Sequence, residues 1–183
     1  MLFRSVLDDG PSLYAPQAVP AGGADGGPER VLVWGWAREL VGDEVRARTE
    51  TERDAAGWSG TLTHPLELMA DGDRVFTVPA RELIALRGET ADPAELPDQA
   101  ELILSGVGAA ELRLAAPGEV GQLVWRRRLS GEQVRVLIDA SLVEVFPEGR
   151  TAGTHRAYPT GEQSYRLVTE PGVHAQAWTL RLP

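Results

Sequence analysis

Short runs of β-branched and large apolar residues, separated by glycine, proline and aspartate, constrain the fold of this chain most strongly. Examples are Val31–Trp36, Val134–Ile138 and Leu142–Phe146. Further runs between residues 102 and 125 follow one another about every ten residues, with turn-forming residues in the gaps. Short strands at this spacing are typical of a β-sandwich, barrel or propeller. The sequence therefore predicts an all-β chain with few helices.

The two halves of the chain differ in their pattern. Residues 1–88 contain long polar loops between aromatic-rich strands, whereas residues 99–183 contain evenly spaced strands with tight turns. Residues 79–87 are predicted to form one or two helical turns. Residues 89–98 are rich in proline and acidic side chains and are predicted to be a linker. The glycine-rich stretch 22–27 is expected to be a hairpin loop, since a phosphate cradle would need a lysine and a following helix.

Composition excludes several classes of function. The formal net charge of −9 disfavours nucleic acid as a partner, because an acidic protein repels phosphate backbones. The sequence has no cysteine, asparagine or lysine, so disulfides, thiolate nucleophiles and cysteine zinc sites are excluded. The three histidines are scattered and predict no metal site, and no Gly-x-Ser-x-Gly elbow is present to support a serine triad.

The sequence shows no signal for membrane association. No apolar run approaches the roughly 20 residues that span a bilayer. Residues 1–20 lack the basic and apolar regions of a signal peptide. We therefore expect no membrane partner, and the cellular compartment is left open.

Aromatic side chains in the first half are candidates for binding sugar rings. Strand alternation places Trp34 and Trp36 on one face of their strand, with Val31 and Val33 on the other. One face can meet a neighbouring sheet and the other a cleft or solvent, and the sequence does not say which. For each aromatic residue, packing in the core is the alternative interpretation.

Several segments, in order, resemble glycoside hydrolase family 32, which includes invertases, levanases and inulinases. The family's motifs include Tyr-Ala-Pro-Gln, an apolar strand ending in Gly-Trp, a Gly-Trp-x-Gly segment, a Pro-x-x-Glu-Leu connector and an Asp-x-Ser-x-x-Glu-x-Phe signature. Similar segments in this chain are Asp9–Gln17, Arg30–Trp36, Gly57–Leu68, Pro79–Arg87, Val134–Arg150 (with Asp139, Ser141, Glu144 and Phe146) and Thr154–Pro159.

The resemblance implies a fold and an activity. It implies the last part of a five-bladed β-propeller over residues 1–88, followed after the linker by a C-terminal β-sandwich over residues 99–183. The activity of the intact family is retaining hydrolysis of terminal β-D-fructofuranosides such as sucrose and fructans, which needs no cofactor or metal. The residues expected to line the sugar site are Tyr14, Trp36, Asp9, Gln17 and Trp58.

The family's catalytic carboxylates are missing from this chain. Its nucleophile lies in an Asn-Asp-Pro motif and its acid/base in a Glu-Cys motif, and neither can occur without asparagine and cysteine. Arg53-Asp54 is followed by alanine instead of the proline of the family's third motif, and is predicted to lie exposed in a charged loop. Asp139 and Glu144 are expected to be structural, accepting backbone N–H groups or pairing with an arginine such as Arg135, Arg150 or Arg156.

No residue of this chain is therefore predicted to be catalytic, and the chain alone is expected to be inactive. Two alternatives remain open. The sandwich could be a non-catalytic carbohydrate-binding module, or the chain could be a complementing fragment that associates with a missing N-terminal propeller segment. Carbohydrate affinity without turnover would favour the first alternative.

Overall fold

The structure is a computed structural model that describes residues 6–22, 29–39 and 48–181. These residues are mostly β-strand, as predicted. The elements in chain order are β1 (Leu13–Ala21), β2 (Arg30–Ala37), α1 (Glu50–Ala56), β3 (Thr61–Leu62), β4 (Leu66–Asp71), β5 (Arg74–Pro79), a 3₁₀ helix (Arg81–Leu86), β6 (Arg87–Thr90), β7 (Gln99–Ala115), β8 (Gln122–Ser130), β9 (Val134–Asp139), β10 (Leu142–Pro147), β11 (Gly153–Arg156), β12 (Ser164–Thr169) and β13 (Val173–Leu180).

The first half of the chain forms one antiparallel sheet, which we call sheet 1. Its strand order is β1-β2-β4-β5, and the short strand β3 also pairs with β2. Val33, Gly35 and Ala37 on β2 are buried, whereas Trp36 is exposed, which confirms the predicted alternation. Strand β1 lies at the edge of the sheet and is exposed along most of its length.

The second half forms a β-sandwich of two sheets that share strand β7. The first part of β7 lies in sheet 2, whose order is β11-β10-β9-β7-β13-β6. The second part of β7 pairs with β8 and β12 to form sheet 3. Between the two parts, Gly106 and Gly108 have φ values of 99° and 146°, which residues with a side chain rarely adopt. These two glycines allow one strand to pass from one sheet to the other.

Two apolar clusters hold the three sheets together. The larger cluster fills the sandwich between sheets 2 and 3 and includes Leu102, Leu112, Val136 and Tyr165. The smaller cluster lies between sheet 1 and sheet 2, and its buried members are Val33, Leu66, Leu83, Leu137, Phe146, Ala152 and Leu180. Sheet 1 therefore packs against the outer face of the sandwich.

Of the two helical segments in the structure, one was predicted from the sequence and the other was not. The predicted helical turns at residues 79–87 are confirmed by the 3₁₀ helix Arg81–Leu86. The helix α1 falls where we expected a charged loop, and that expectation was wrong. Thr49 and Glu52 form a reciprocal capping box and Gly57 ends the helix in a left-handed conformation, so local capping forms a helix without any buried residue.

Residues 87–98 lie close to the sandwich. Strand β6 pairs with β13, and Leu96 is buried in the larger apolar cluster. The predicted boundaries of 1–88, 89–98 and 99–183 remain predictions. Most of the glycine-rich stretch expected to be a hairpin loop, residues 23–27, lies outside the described residues. No helix in the described part of the chain is long and apolar enough to cross a membrane.

Candidate functional site

Tyr14 and Trp36 form an exposed aromatic pair on sheet 1. They are directly opposite each other on β1 and β2, and their exposed fractions are 58% and 47%. Together with Arg38 they line a shallow cavity of about 210 Å³. The guanidinium carbon of Arg38 lies 6.0 Å from the centre of the Tyr14 ring. An open aromatic surface beside a cation can contact the apolar face of a ligand and bind its polar groups.

A β-bulge in β1 and the glycine at position 60 shape this surface. Tyr14 pairs with Trp36 but Gln17 pairs with Trp34, so two residues of β1 oppose one residue of β2. Ala15 in the bulge has a φ of 46°, a left-handed value that is uncommon for alanine. The indole of Trp36 lies against Gly60, where an added Cβ would come within 1.7 Å of the indole nitrogen. Gly60 is therefore required by the position of Trp36.

Of the other three predicted sugar-site residues, Gln17 lies on the same face as the aromatic pair, whereas Asp9 and Trp58 lie elsewhere. Gln17 is exposed opposite Trp34, on the face that carries Tyr14 and Trp36, and its side-chain amide donates to the carbonyl of Pro16. Asp9 is exposed, and its backbone N–H donates to the carbonyl of Ala152 at 2.7 Å. Trp58 lines a separate cavity beside α1. The structure thus brings Tyr14, Trp36 and Gln17 onto one face and places Asp9 and Trp58 apart from it.

Glu39 is the centre of a polar cluster next to Trp58. Its carboxylate accepts hydrogen bonds from Arg48 at 2.6 Å, from the Gly60 N–H at 2.9 Å and from the Tyr158 hydroxyl. Burial alone would raise the pKa of Glu39, but these hydrogen bonds, the one from Arg48 above all, outweigh it and lower the pKa to about 2. The carboxylate is therefore held ionised and cannot serve as a proton donor near neutral pH.

Two arginines stack on the aromatic rings of this cluster. The Arg48 guanidinium lies 3.9 Å from the Trp58 ring centre and 4.7 Å from that of Tyr158. Arg156 is fully buried, lies 5.2 Å from the Tyr158 ring centre and donates to the carbonyl of Ala37 at 3.3 Å. The cluster connects sheet 1 to the sandwich. Sequence reasoning missed it, although Arg156 and Tyr158 lie in one of the segments that carry the family resemblance.

Glu144 of the sandwich signature binds a histidine, which corrects the expected arginine partners. Its Oε2 atom accepts the His64 backbone N–H at 3.0 Å and lies 2.6 Å from His64 Nδ1. The expectation of a backbone N–H partner is confirmed. An arginine is not the partner, because Glu144 lies on the face of sheet 2 that is covered by sheet 1 and meets the loop before β4.

Three other carboxylates, those of Glu101, Asp8 and Asp139, also have hydrogen-bond partners. Glu101 is fully buried and binds Arg87 through both of its oxygens, with Arg135 also in contact. The Asp8 carboxylate accepts the Gly10 N–H, the Thr154 N–H and the Thr154 hydroxyl. Asp139 accepts a hydrogen bond from Gln99 rather than from an arginine. Asp54, as predicted, is exposed, on α1. Glu101 and Asp8 thus have structural roles, and no acid/base pair of a retaining glycosidase is evident among the carboxylates described here.

Comparison with known proteins defines the class of this protein. Residues 96–179 match the family model described as glycosyl hydrolases family 32 C terminal. The chain belongs to glycoside hydrolase family 32 and corresponds to a C-terminal part of its members.

Particular relatives agree with this assignment. The chain is 33% identical over 179 residues to a sucrose-6-phosphate hydrolase of Klebsiella pneumoniae, a match that covers 84% of this chain and 36% of the relative. The fold is similar to a sucrose-6-phosphate hydrolase of Lactobacillus gasseri, with a TM-score of 0.71, 17% identity and coverage of 96% of this chain and 42% of the other.

A second similar structure contains a sugar. It is a mutant of a GH32 β-fructofuranosidase of Bombyx mori in complex with sucrose, with a TM-score of 0.68, 24% identity and coverage of 96% of this chain and 42% of the other. The present chain spans about a third of the length of the curated Klebsiella relative.

Proposed function

We propose that this chain supplies the last blade of a β-propeller and the C-terminal sandwich of a β-fructofuranosidase-type hydrolase, and that it is not catalytic alone. The observation that carries the proposal is the outer face of sheet 1. The edge strand β1 and the aromatic pair Tyr14 and Trp36 are exposed, whereas the inner face of the sheet is packed on the sandwich. An antiparallel sheet that is covered on one face only is expected of a propeller blade that lacks a neighbour.

The relatives support a fructose-containing saccharide as the substrate class of the assembled protein. Sucrose-6-phosphate hydrolases and a β-fructofuranosidase bound to sucrose share this fold. In an assembled propeller, Tyr14, Trp36 and Gln17 would form part of the wall around a fructose-containing saccharide such as sucrose or a fructan. The two catalytic carboxyl groups, which must stand about 5–5.5 Å apart, would come from elsewhere in the propeller.

The first test is activity of the purified chain on sucrose, inulin and levan. We expect no fructose release over a range of pH values, because acid/base assistance alone is typically worth about 10²–10⁴-fold and the nucleophile is also missing. The protein must be free of host invertase, and an intact family enzyme is the positive control. Turnover within about a hundredfold of that enzyme would mean that carboxylates such as Asp9 or Asp139 have been recruited.

The second test is complementation. The chain is co-expressed with the region of the Klebsiella relative that precedes the matched part, and the two are tested for co-purification and for hydrolysis of sucrose. Recovery of activity would support a complementing fragment. If the two pieces fail to associate while the chain alone binds saccharides without turnover, the carbohydrate-binding module becomes the better description.

A further inference from the structure

We propose that the cavity beside α1, which we call the α1 cavity, is a second carbohydrate-binding site that takes a neutral saccharide unit. The cavity has a volume of about 360 Å³ and lies between α1, the loop that carries Trp58 and two turns of the sandwich. It is separate from the shallow cavity lined by Tyr14, Trp36 and Arg38. The proposal does not depend on assembly with a propeller.

Aromatic and small apolar side chains form one part of the cavity wall. Trp58 is 46% exposed although Arg48 stacks on it, so a large part of the indole remains accessible. Tyr158 and Pro159 continue this wall. Sugar rings carry C–H groups on one face, which pack on aromatic surfaces, and the volume falls at the low end of the roughly 300–1,000 Å³ range of small-molecule sites.

Two polar residues whose backbones are held by hydrogen bonds, Asp98 and Ser141, form another part of the wall. The Asp98 carbonyl accepts the Ala140 N–H at 2.7 Å, and the Ser141 carbonyl accepts the Ala157 N–H at 2.9 Å. Asp98 and Ser141 both line the cavity, and their backbones are held in place by these bonds. A carboxylate and a hydroxyl carried by these fixed backbones can accept and donate hydrogen bonds to adjacent sugar hydroxyls.

The charges around the cavity favour a neutral ligand over an anionic one. Arg48 is the basic residue of the lining, and its guanidinium is bound to Glu39 at 2.6 Å. Arg156 lies behind the rings of Trp58 and Tyr158, is fully buried and is 3.8 Å from the same Glu39 carboxylate, so it does not face the cavity. Glu52 and Asp98 add two acidic groups to the lining. A phosphate or carboxylate group would meet these acids, whereas the hydroxyls of a neutral sugar can donate to them.

The test is calorimetric titration of the full chain with sucrose, with an inulin-type trisaccharide and with sucrose 6-phosphate. We expect millimolar binding of the neutral sugars. We expect Asp98→Ala and Trp58→Ala to weaken this binding at least about tenfold. Glu95→Ala is the matched control, because Glu95 is an exposed carboxylate three residues away that does not line the cavity.

Several results would overturn the proposal. One is loss of binding in Trp36→Ala with full binding in Asp98→Ala, which would assign the sugar to the other aromatic surface. Absence of millimolar binding by the folded wild-type chain would also overturn the proposal. So would a clear preference of the chain for sucrose 6-phosphate over the neutral sugars. Asp98 is exposed, so Asp98→Ala is expected to fold and remains informative even if Trp58→Ala is unstable.

Discussion

At the scale of single residues, Gly10 shows how closely the segment before β1 approaches the sandwich. A Cβ atom on Gly10 would lie 2.2 Å from the carbonyl oxygen and 2.3 Å from the nitrogen of Thr154. Both atoms belong to the backbone of β11 and cannot move as a side chain can. The neighbouring Asp8 carboxylate binds the same residue, so this contact fixes the start of sheet 1.

We predict that Gly10→Ala destabilises the protein by about 1–3 kcal/mol, as overpacking in a tight contact does. The free energy of unfolding in urea measures the change. Gly22→Ala is the control, because an added Cβ there would have no atom within 4 Å. Equal stabilities of the two variants would show that the segment at Gly10 can move away from β11 without cost.

Glu39 gives a pH dependence whose sign follows from its lowered pKa. The pKa of this carboxyl is about 2 in the folded protein, below its ordinary value of 4.5, so the unfolded chain takes up the proton first as pH falls. The stabilisation is complete above about pH 4.5 and is lost between pH 4.5 and 2. We therefore predict that the difference in unfolding free energy between wild type and Glu39→Gln is constant from pH 7 to 5 and shrinks below that.

Chemical denaturation at a series of pH values measures this difference directly. Comparison with the variant removes the contribution of the other carboxyl groups, which titrate in both proteins. A difference that stays the same down to pH 3 would contradict the lowered pKa of Glu39.

At the scale of secondary-structure elements, the interface between sheets 1 and 2 has a polar link as well as an apolar cluster. His64 precedes β4 of sheet 1, and Glu144 lies on β10 of sheet 2, with an exposed fraction of only 1%. The side chains meet at 2.6 Å beside the apolar cluster that contains Phe146. In the signature Asp-x-Ser-x-x-Glu-x-Phe, the Glu is Glu144, which binds the loop before β4, and the Phe is Phe146, which packs against sheet 1.

We predict that His64 and Glu144 are energetically coupled. In a double-mutant cycle with His64→Ala and Glu144→Gln, the coupling energy should be at least about 1 kcal/mol, within the roughly 0.5–3 kcal/mol seen for contacting residues. The pair Arg128 and Glu170, with side chains 67% and 47% exposed, is the control and should show less than about 1 kcal/mol. Equal coupling energies in both pairs would show that the buried contact of His64 with Glu144 stabilises the protein no more than an exposed ion pair does.

The elements also show what a single sequence can predict. The strands at 134–138 and 142–146 were predicted within one residue of β9 and β10, because β-branched residues and a short turn define them locally. Helix α1 was missed because it buries no residue and so has no apolar periodicity. The capping residues Thr49 and Glu52 were the available signal.

The candidate site was harder to predict than the strands, because its residues are far apart in the sequence. Tyr14 and Trp36 were chosen for their residue type and resemblance, and the structure places them side by side. The cluster of Glu39 and Tyr158 joins residues 119 positions apart in the sequence. No periodicity or spacing in one sequence connects such distant positions, so the α1 cavity next to this cluster could not be foreseen.

At the scale of the whole molecule, the described residues form three stacked β-sheets with one aromatic face exposed. Sheet 3 and sheet 2 enclose one apolar cluster, and sheet 2 and sheet 1 enclose the other. The matched structures cover 96% of this chain, so the same arrangement occurs within longer proteins of family 32. The likeness of fold therefore includes sheet 1 as well as the sandwich.

The sharing of β7 by two sheets makes insertions and deletions within this strand unusually costly. Side chains alternate between faces along a strand, so a one-residue shift moves every following side chain to the opposite face. In a strand that pairs in one sheet only, such a shift disrupts one sheet. A residue added before Gly106 would misalign β7 with β9 and β13 and also displace the bend that starts its pairing with β8 and β12. Length changes in this family are consequently expected in the turns between strands, while β7 keeps a fixed number of residues.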